Sequence, residues 1–129
     1  MTTGRAVKPI DYGMILGSVS LAAGGQVLMK LGMASLGMSG LAATVGAGLT
    51  EPLVLLGLVC YALSSVSWLV VLSRVPLSVA YPFGALSYVI VVVASLLAGE
   101  EIPGLRWVGV ALIVAGIWLV GGARAEASQ

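Results

Sequence analysis

Four stretches of this chain carry no charged side chain: Tyr12 to Met29, Leu53 to Ser73, Val75 to Gly99 and Trp107 to Ala123, of 18, 21, 25 and 17 residues. A helix needs ~20 residues to cross the roughly 30 Å hydrocarbon core of a bilayer, within a range of about 17–25. Each stretch fits. Of the 129 residues 60% are apolar and only 9% are charged, whereas a soluble domain carries about a quarter charged residues. The mean hydropathy is +1.13. There is too little charge to cover a surface facing water. The sequence therefore predicts an all-α integral membrane protein, a single domain of four transmembrane helices over about 12–31, 53–73, 76–98 and 105–122.

Arg5 and Lys8 ahead of an apolar run containing Ser20-Leu21-Ala22 are similar to a secretory signal. Asp11 interrupts the approach and the run is long for a signal core, so the first stretch reads as a retained helix. The single cysteine, Cys60, cannot form an internal disulfide and says nothing of redox compartment. Residues 31–50 are uncharged too, but hold five glycines, two serines and two threonines, a weak helix-forming mix. A continuous helix from Tyr12 to Thr50 would be ~58 Å long, so the segment reads as a long, loosely structured or interfacial connection. Glu51-Pro52 opens the second span, Arg74-Val75-Pro76 turns into the third, and Glu100 to Gly104 turns into the fourth. Arg124 to Gln129 forms a short polar tail. Four spans put both termini beside the 74–76 turn, with Arg5, Lys8, Arg74 and Arg124, against Lys30 and Arg106 with Glu51, Glu100 and Glu101 on the other side. Excess Lys and Arg marks the cytoplasmic face, which places both termini there.

The third span carries the most pointed local sequence, "VPLSVAYPFG" from Val75 to Gly84. Pro76 starts a helix, but Pro82 lies inside it and has no N–H for the carbonyl of Ser78. Such a break is tolerated in lipid where neighbouring helices or a wet cavity satisfy the freed group. Tyr81 and Tyr88, seven residues apart, share a helix face with Gly84 and Ala85 between them. Tyr61, Ser64, Ser65 and Trp68 form a similar stripe on the second span, and Gln26 and Lys30 share a face on the first, with Ala22 a turn before. Three polar faces imply a polar interior. The plainer reading is that Ser64, Ser65 and Ser78 are small helix-packing residues, that Pro82 is a tolerated kink, and that Trp68, Trp107 and Trp118 are interfacial anchors.

No Asp, Glu or His occurs within the four uncharged runs. Proton-coupled carriers normally keep an ionisable relay at membrane depth, and this chain lacks one there. Lys30 and Arg106 fall on one side of the membrane and offer a phosphate two cations; the plainer reading is that both snorkel to the interface. No metal-ligand cluster, glycine-rich phosphate loop or nucleophile–base pair is present, so neither an enzyme, a cofactor nor a metal is expected, and no basic patch suits nucleic acid. Four short helices scarcely enclose a solute path. Gly109 and Gly116 on the fourth span, and Gly13, Gly17 and Gly24 on the first, are small residues that let helices approach closely, which points to a dimer of like or unlike chains.

"GQVLMK", "SWLVVLSRVPLSVAYPFGALSYV" and "GEEIPGLRWVGVALIVAGIWLVGG" resemble the small multidrug resistance family and the wider drug/metabolite transporter superfamily, and within it the ArnE/ArnF-type subunits of the aminoarabinose–undecaprenyl-phosphate flippase. The similarity covers roughly residues 12–122 and fails over 34–50. It implies a four-helix protomer that works as a dimer, with alternating access to a central site and with Gly109 and Gly116 at the dimer contact. It also implies that Glu100 belongs to the "GE" turn before the last helix, a structural or gating position. Two departures separate the chain from the multidrug exporters: their membrane glutamate falls at Ala22 and their binding tryptophan at Gly84, although Tyr81 matches their tyrosine. Both departures suit the flippase-like branch.

The expectation is thus an inner-membrane subunit that translocates a polyprenyl-phosphate-linked sugar or related anionic glycolipid. Gln26, Lys30 and Arg106 would meet phosphate or sugar, Tyr61, Ser64, Trp68, Tyr81 and Tyr88 would line the path, and Pro82 and Gly84 would permit the bend. Export of small cationic or neutral solutes is the alternative, and a non-transporting assembly subunit is a third.

Overall fold

In a computed structural model of the chain, the described residues are 7–37 and 40–127. Arg5 lies outside them, as do Met38 and Ser39 and the side chain of Arg124. Six helices and no strand occur among the described residues: α1 (Pro9–Ala34), α2 (Leu41–Gly48), α3 (Pro52–Arg74), α4 (Leu77–Gly84), α5 (Leu86–Leu97) and α6 (Gly104–Ala127). Four segments are long and apolar enough to span a bilayer: Pro9–Ala34, Pro52–Arg74, Leu77–Leu97 and Gly104–Ala123. The third combines α4 and α5. Helices are the natural solution because hydrocarbon offers backbone N–H and C=O groups no partner outside the segment itself. The protein is a multi-pass membrane protein.

The helix ends follow from local chemistry. Pro9 opens α1, and the Asp11 carboxylate accepts a hydrogen bond from the backbone N–H of Lys8 at 2.9 Å, which places a negative group at the positive end of the helix. α1 therefore begins earlier than the uncharged run and includes this buried acid. Pro52 sits in the first turn of α3. α3 stops at Arg74 because Pro76 forces the residue before it out of helical geometry, and Val75 is extended at φ −118°, ψ 133°. Pro76 itself stays outside α4 as its N-cap. α5 ends where Gly99 adopts φ +80°. The Gly99 N–H there bonds Leu96 O and the Glu100 N–H bonds Ser95 O, both at 3.0 Å, closing a Schellman turn.

Two expectations change. The 34–50 connection contains the short helix α2, because Leu41 to Val45 is free of glycine even though the wider segment is rich in it. Eight residues are too few to cross a bilayer, and most of α2 is exposed. At the other end, the expected polar tail continues the fourth helix as far as Ala127.

α1 and α3 form the closest pair. A methyl group placed on Gly57 would lie 2.5 Å from the carbonyl oxygen of Gly25, and one on Gly25 would lie 2.7 Å from the carbonyl of Gly57. Gly32 meets Val54 one step further along. Only hydrogen fits at these crossings, and the two backbones touch there. Gly13, Gly17 and Gly24, the first-span glycines singled out by spacing, meet nothing among the described residues. Towards the other end of the same pair, Ile15, Val19, Val71, Val75, Val79 and Ala80 make the buried core. The Tyr12 and Phe83 rings pack edge to face beside it, with centroids 5.4 Å apart. α6 packs against α4 and α5 alone among the larger contacts and leaves Trp118 83% exposed.

Gly57→Ala is expected to lower stability by about 1–3 kcal/mol, the usual cost of forcing volume into a tight contact. Thermal unfolding of the detergent-extracted protein checks this, with Gly24→Ala expected to leave the midpoint close to that of the parent.

Candidate functional site

The gap that α1 and α3 leave against α4 and the start of α5 is a cavity of about 650 Å³, within the roughly 300–1,000 Å³ of pockets that enclose small ligands. α1 lines it with Ser18, Ala22 and Gln26, spaced by four residues and so stacked on one face. α3 contributes Tyr61, Ser64, Ser65 and Trp68, α4 contributes Tyr81 and Gly84, and Ser87 closes the α5 side. The three polar faces legible in the sequence converge here. Gln26, Tyr61, Ser64, Trp68, Tyr81 and Gly84 all belong to it. Ser18 and Ser87 are additions; Ser18 carried a usable signal, being one turn before Ala22 on the same stripe.

The hydroxyls differ in what they have left to offer. Ser18 donates to Met14 O at 2.8 Å, Ser65 to Tyr61 O at 2.9 Å and Ser87 to Gly84 O at 2.9 Å. Each is occupied by its own helix. Ser64 is only 4% exposed and its hydroxyl has no partner among the described residues, so it opens on the cavity it lines. Trp68 forms a wall. Its ring stands edge to face with Tyr81, centroids 6.4 Å apart and planes at 81°, and its far edge lies 3.2 Å from where a side chain on Gly84 would begin. The absence of a side chain at Gly84 is what lets the indole seat there. Tyr81 is 63% exposed and stands at the cavity's open edge.

Pro82 sits inside α4, which continues past it to Gly84 before the span breaks at Ala85. The Ala85 N–H bonds Tyr81 O at 3.1 Å, a normal helical step, and the Tyr88 N–H bonds Ala85 O at 3.1 Å, a tighter one, so the hydrogen-bond ladder changes just after Pro82, where a bend was expected. Tyr88, expected to line the same path as Tyr81, is not among the residues that line the cavity.

Lys30 lies one turn, ~6 Å, beyond Gln26 along α1, and outside the cavity lining. Its ammonium is ion-paired with Glu100. The Schellman turn that ends α5 fixes Glu100 at this position. The hydrogen bond from Lys30 holds the Glu100 carboxyl below its ordinary value, against a smaller opposing effect of desolvation, and the charges of Lys30 and Arg106 and a Ser95 hydrogen bond add to the lowering. Lys30, Glu100 and Arg106 therefore share one end of the bundle. Asp11, the buried acid, caps α1 at the helix's opposite end and is not on the cavity. Among the described residues no cluster of three metal-ligating side chains occurs.

No protein-family model and no solved structure matches the chain. Curated relatives do. The chain is 39% identical over 117 residues to a protein of Sodalis glossinidius named probable 4-amino-4-deoxy-L-arabinose-phosphoundecaprenol flippase subunit ArnF, covering 86% of this chain and 90% of that one. The ArnF of Erwinia tasmaniensis is 41% identical over 117 residues, 81% of this chain and 89% of the relative. The chain belongs to the ArnE/ArnF family. An ArnE of Salmonella paratyphi B matches at 41% over 69 residues, 53% of this chain and 62% of its own length. The family makes this chain a flippase-like transporter subunit.

Because its pKa is lowered, Glu100 keeps its charge and its bond to Lys30 above the ordinary value of 4.5, and the bond is lost only as pH falls through the lowered value. Hydrogen exchange of the 98–103 turn, corrected for intrinsic rates, is expected to stay slow at pH 4.5 and rise below it. In Glu100→Gln it is expected to be fast already at neutral pH.

Proposed function

We propose that this chain translocates a polyprenyl-phosphate-linked sugar, or a related anionic glycolipid, across the bacterial inner membrane. The observation that carries the reading is a cavity among the spanning helices whose described lining is largely apolar but carries hydroxyls, one carboxamide and aromatic rings and no carboxylate, one turn from Lys30 and its ion-pair partner Glu100. A head group rich in oxygens finds partners in such a wall, a phosphate finds Lys30 and Arg106, and the prenyl tail remains in lipid while the head group crosses. Ala22 stands on the cavity where an acid would be needed for exchanging protons against cationic solutes, which favours lipid translocation over export of small cations.

The working unit is a dimer, of two like chains or of this chain with a related four-helix subunit. Gly109 and Gly116 on α6 support this, since nothing among the described residues meets them and α6 has most of its described apolar surface uncovered. Both termini are cytoplasmic, which sets Lys30, Glu100 and Arg106 at the opposite face.

Replacing Lys30 with Ala is expected to slow lipid translocation in reconstituted vesicles at least tenfold, as loss of a charge-assisted phosphate contact of about 1.5–3 kcal/mol implies. Undiminished translocation removes Lys30 from the mechanism.

A further inference from the structure

Resting on the flippase reading, we infer that the head group is divided between two places: the cavity takes the glycosyl ring, read by the Ser64 hydroxyl against the Trp68 wall, and the phosphate stays one helical turn away at Lys30, in the place Glu100 now holds.

Three observations carry this. Ser64 is 4% exposed with a hydroxyl that its own helix does not use. Its neighbours Ser18, Ser65 and Ser87 are all committed to backbone carbonyls. A hydroxyl that its own helix does not use and that is reachable from the cavity offers a ligand one donor and two lone pairs. A ring hydroxyl supplies both kinds of partner. A phosphate supplies only acceptors and would bring its charge among neutral groups, at a cost of several kcal/mol.

The second observation is the wall. Trp68 offers a ring beside the polar groups, and the apolar C–H face of a sugar packs on an aromatic face, whose negative π-surface attracts polarised hydrogens. The indole is held by Tyr81 on one side and by the missing side chain of Gly84 on the other. The position of Trp68, and with it the shape of the glycosyl subsite, is therefore set from α4.

The third is a ruler. Gln26 is the cavity residue nearest the charged end on α1, and Lys30 follows one turn on, ~6 Å along the axis. That step suits the short reach from a sugar ring to the phosphate on its anomeric oxygen. Lys30 is bonded to a carboxylate in the unliganded chain. A lipid phosphate takes the same ammonium by displacing the Glu100 oxygen, so binding exchanges one anion for another without leaving Lys30 unpaired.

The test uses the intact chain in lipid nanodiscs with Trp107→Phe and Trp118→Phe, which leaves Trp68 as the only tryptophan of the three. Two probes are titrated: a short-chain polyprenyl phosphate, and the same lipid phosphate carrying a pentosyl group. The glycosylated lipid is expected to quench or shift Trp68 emission and the bare lipid to bind without doing so. Ser64→Ala is expected to cost the glycosylated lipid roughly ten- to hundredfold in affinity and to erase its advantage over the bare lipid, with Ser64→Thr restoring part of it. Gly84→Ala, which displaces the indole while removing no polar group, is expected to reduce the same advantage. If the bare lipid moves Trp68 as strongly, or if Ser64→Ala keeps the full glycosyl preference, the division is wrong while translocation of lipid phosphates stands. If neither lipid binds, the flippase reading falls with it.

Discussion

The contact between Gly25 and Gly57 sets the rest of the structure. In lipid, water exclusion between helices is weak, and close van der Waals contact does more of the holding. Backbone-to-backbone contact at one level of α1 and α3 fixes their separation there. The aliphatic core around Ile15, Val71 and Val79 fixes a second point near the other end. Between these anchors, α1 and α3 present their polar stripes side by side towards α4. The cavity is the space that larger, polar-tipped residues such as Tyr61 and Trp68 leave beside that seam. Its walls are as regular as they are because its edges are pinned.

The broken third span supplies the opposing wall. Its proline, tyrosine and glycine serve different ends. Pro76 stops α3 by constraining Val75, Pro82 precedes the turn at Ala85, and Gly84 makes room for an indole from another helix. Tyr81 meets that indole at the open edge. One aromatic pair thus couples α3 to the proline-containing helix α4, and movement of α4 relative to α5 would be felt first at Trp68. Charge is kept apart from this region. Lys30, Glu100 and Arg106 occupy one end, Asp11 the first turn of α1, and the described lining between them is neutral.

Much of this was legible in residue order. Uncharged runs long enough to cross a bilayer gave four spans, because burying a charge in hydrocarbon is so costly that the pattern leaves few alternatives. Stripes at three- and four-residue spacing brought Gln26, Tyr61, Ser64, Trp68 and Tyr81 together, since helical periodicity survives packing. Helical spacing does not say how far along a face a cavity extends, and Tyr88, a further two turns along from Tyr81, is not part of the lining. The glycines illustrate the other limit. Gly24 and Gly25 are neighbours with equal claim from spacing, and only the rotation of α1 against α3 decides that Gly25 is at the contact. The ion pair of Lys30 with Glu100 joins residues far apart in sequence through a capping turn, and no local pattern announces it. Nor does sequence distinguish Ser64 from Ser65, which differ in whether their own helix has claimed the hydroxyl.

The central claim is that an uncharged, water-accessible space carrying hydroxyl and amide groups lies beside Ala22, about 20 Å from either end of α1. Its most direct measurement is labelling by a water-soluble, membrane-impermeant thiol reagent in bilayers, with the native Cys60 replaced by serine and a single cysteine introduced. Ala22→Cys is expected to react readily, and Leu112→Cys, on the uncovered flank of α6, to stay unreactive. If Ala22→Cys proves as inert as Leu112→Cys, the space beside it is dry and the account of a head-group path fails.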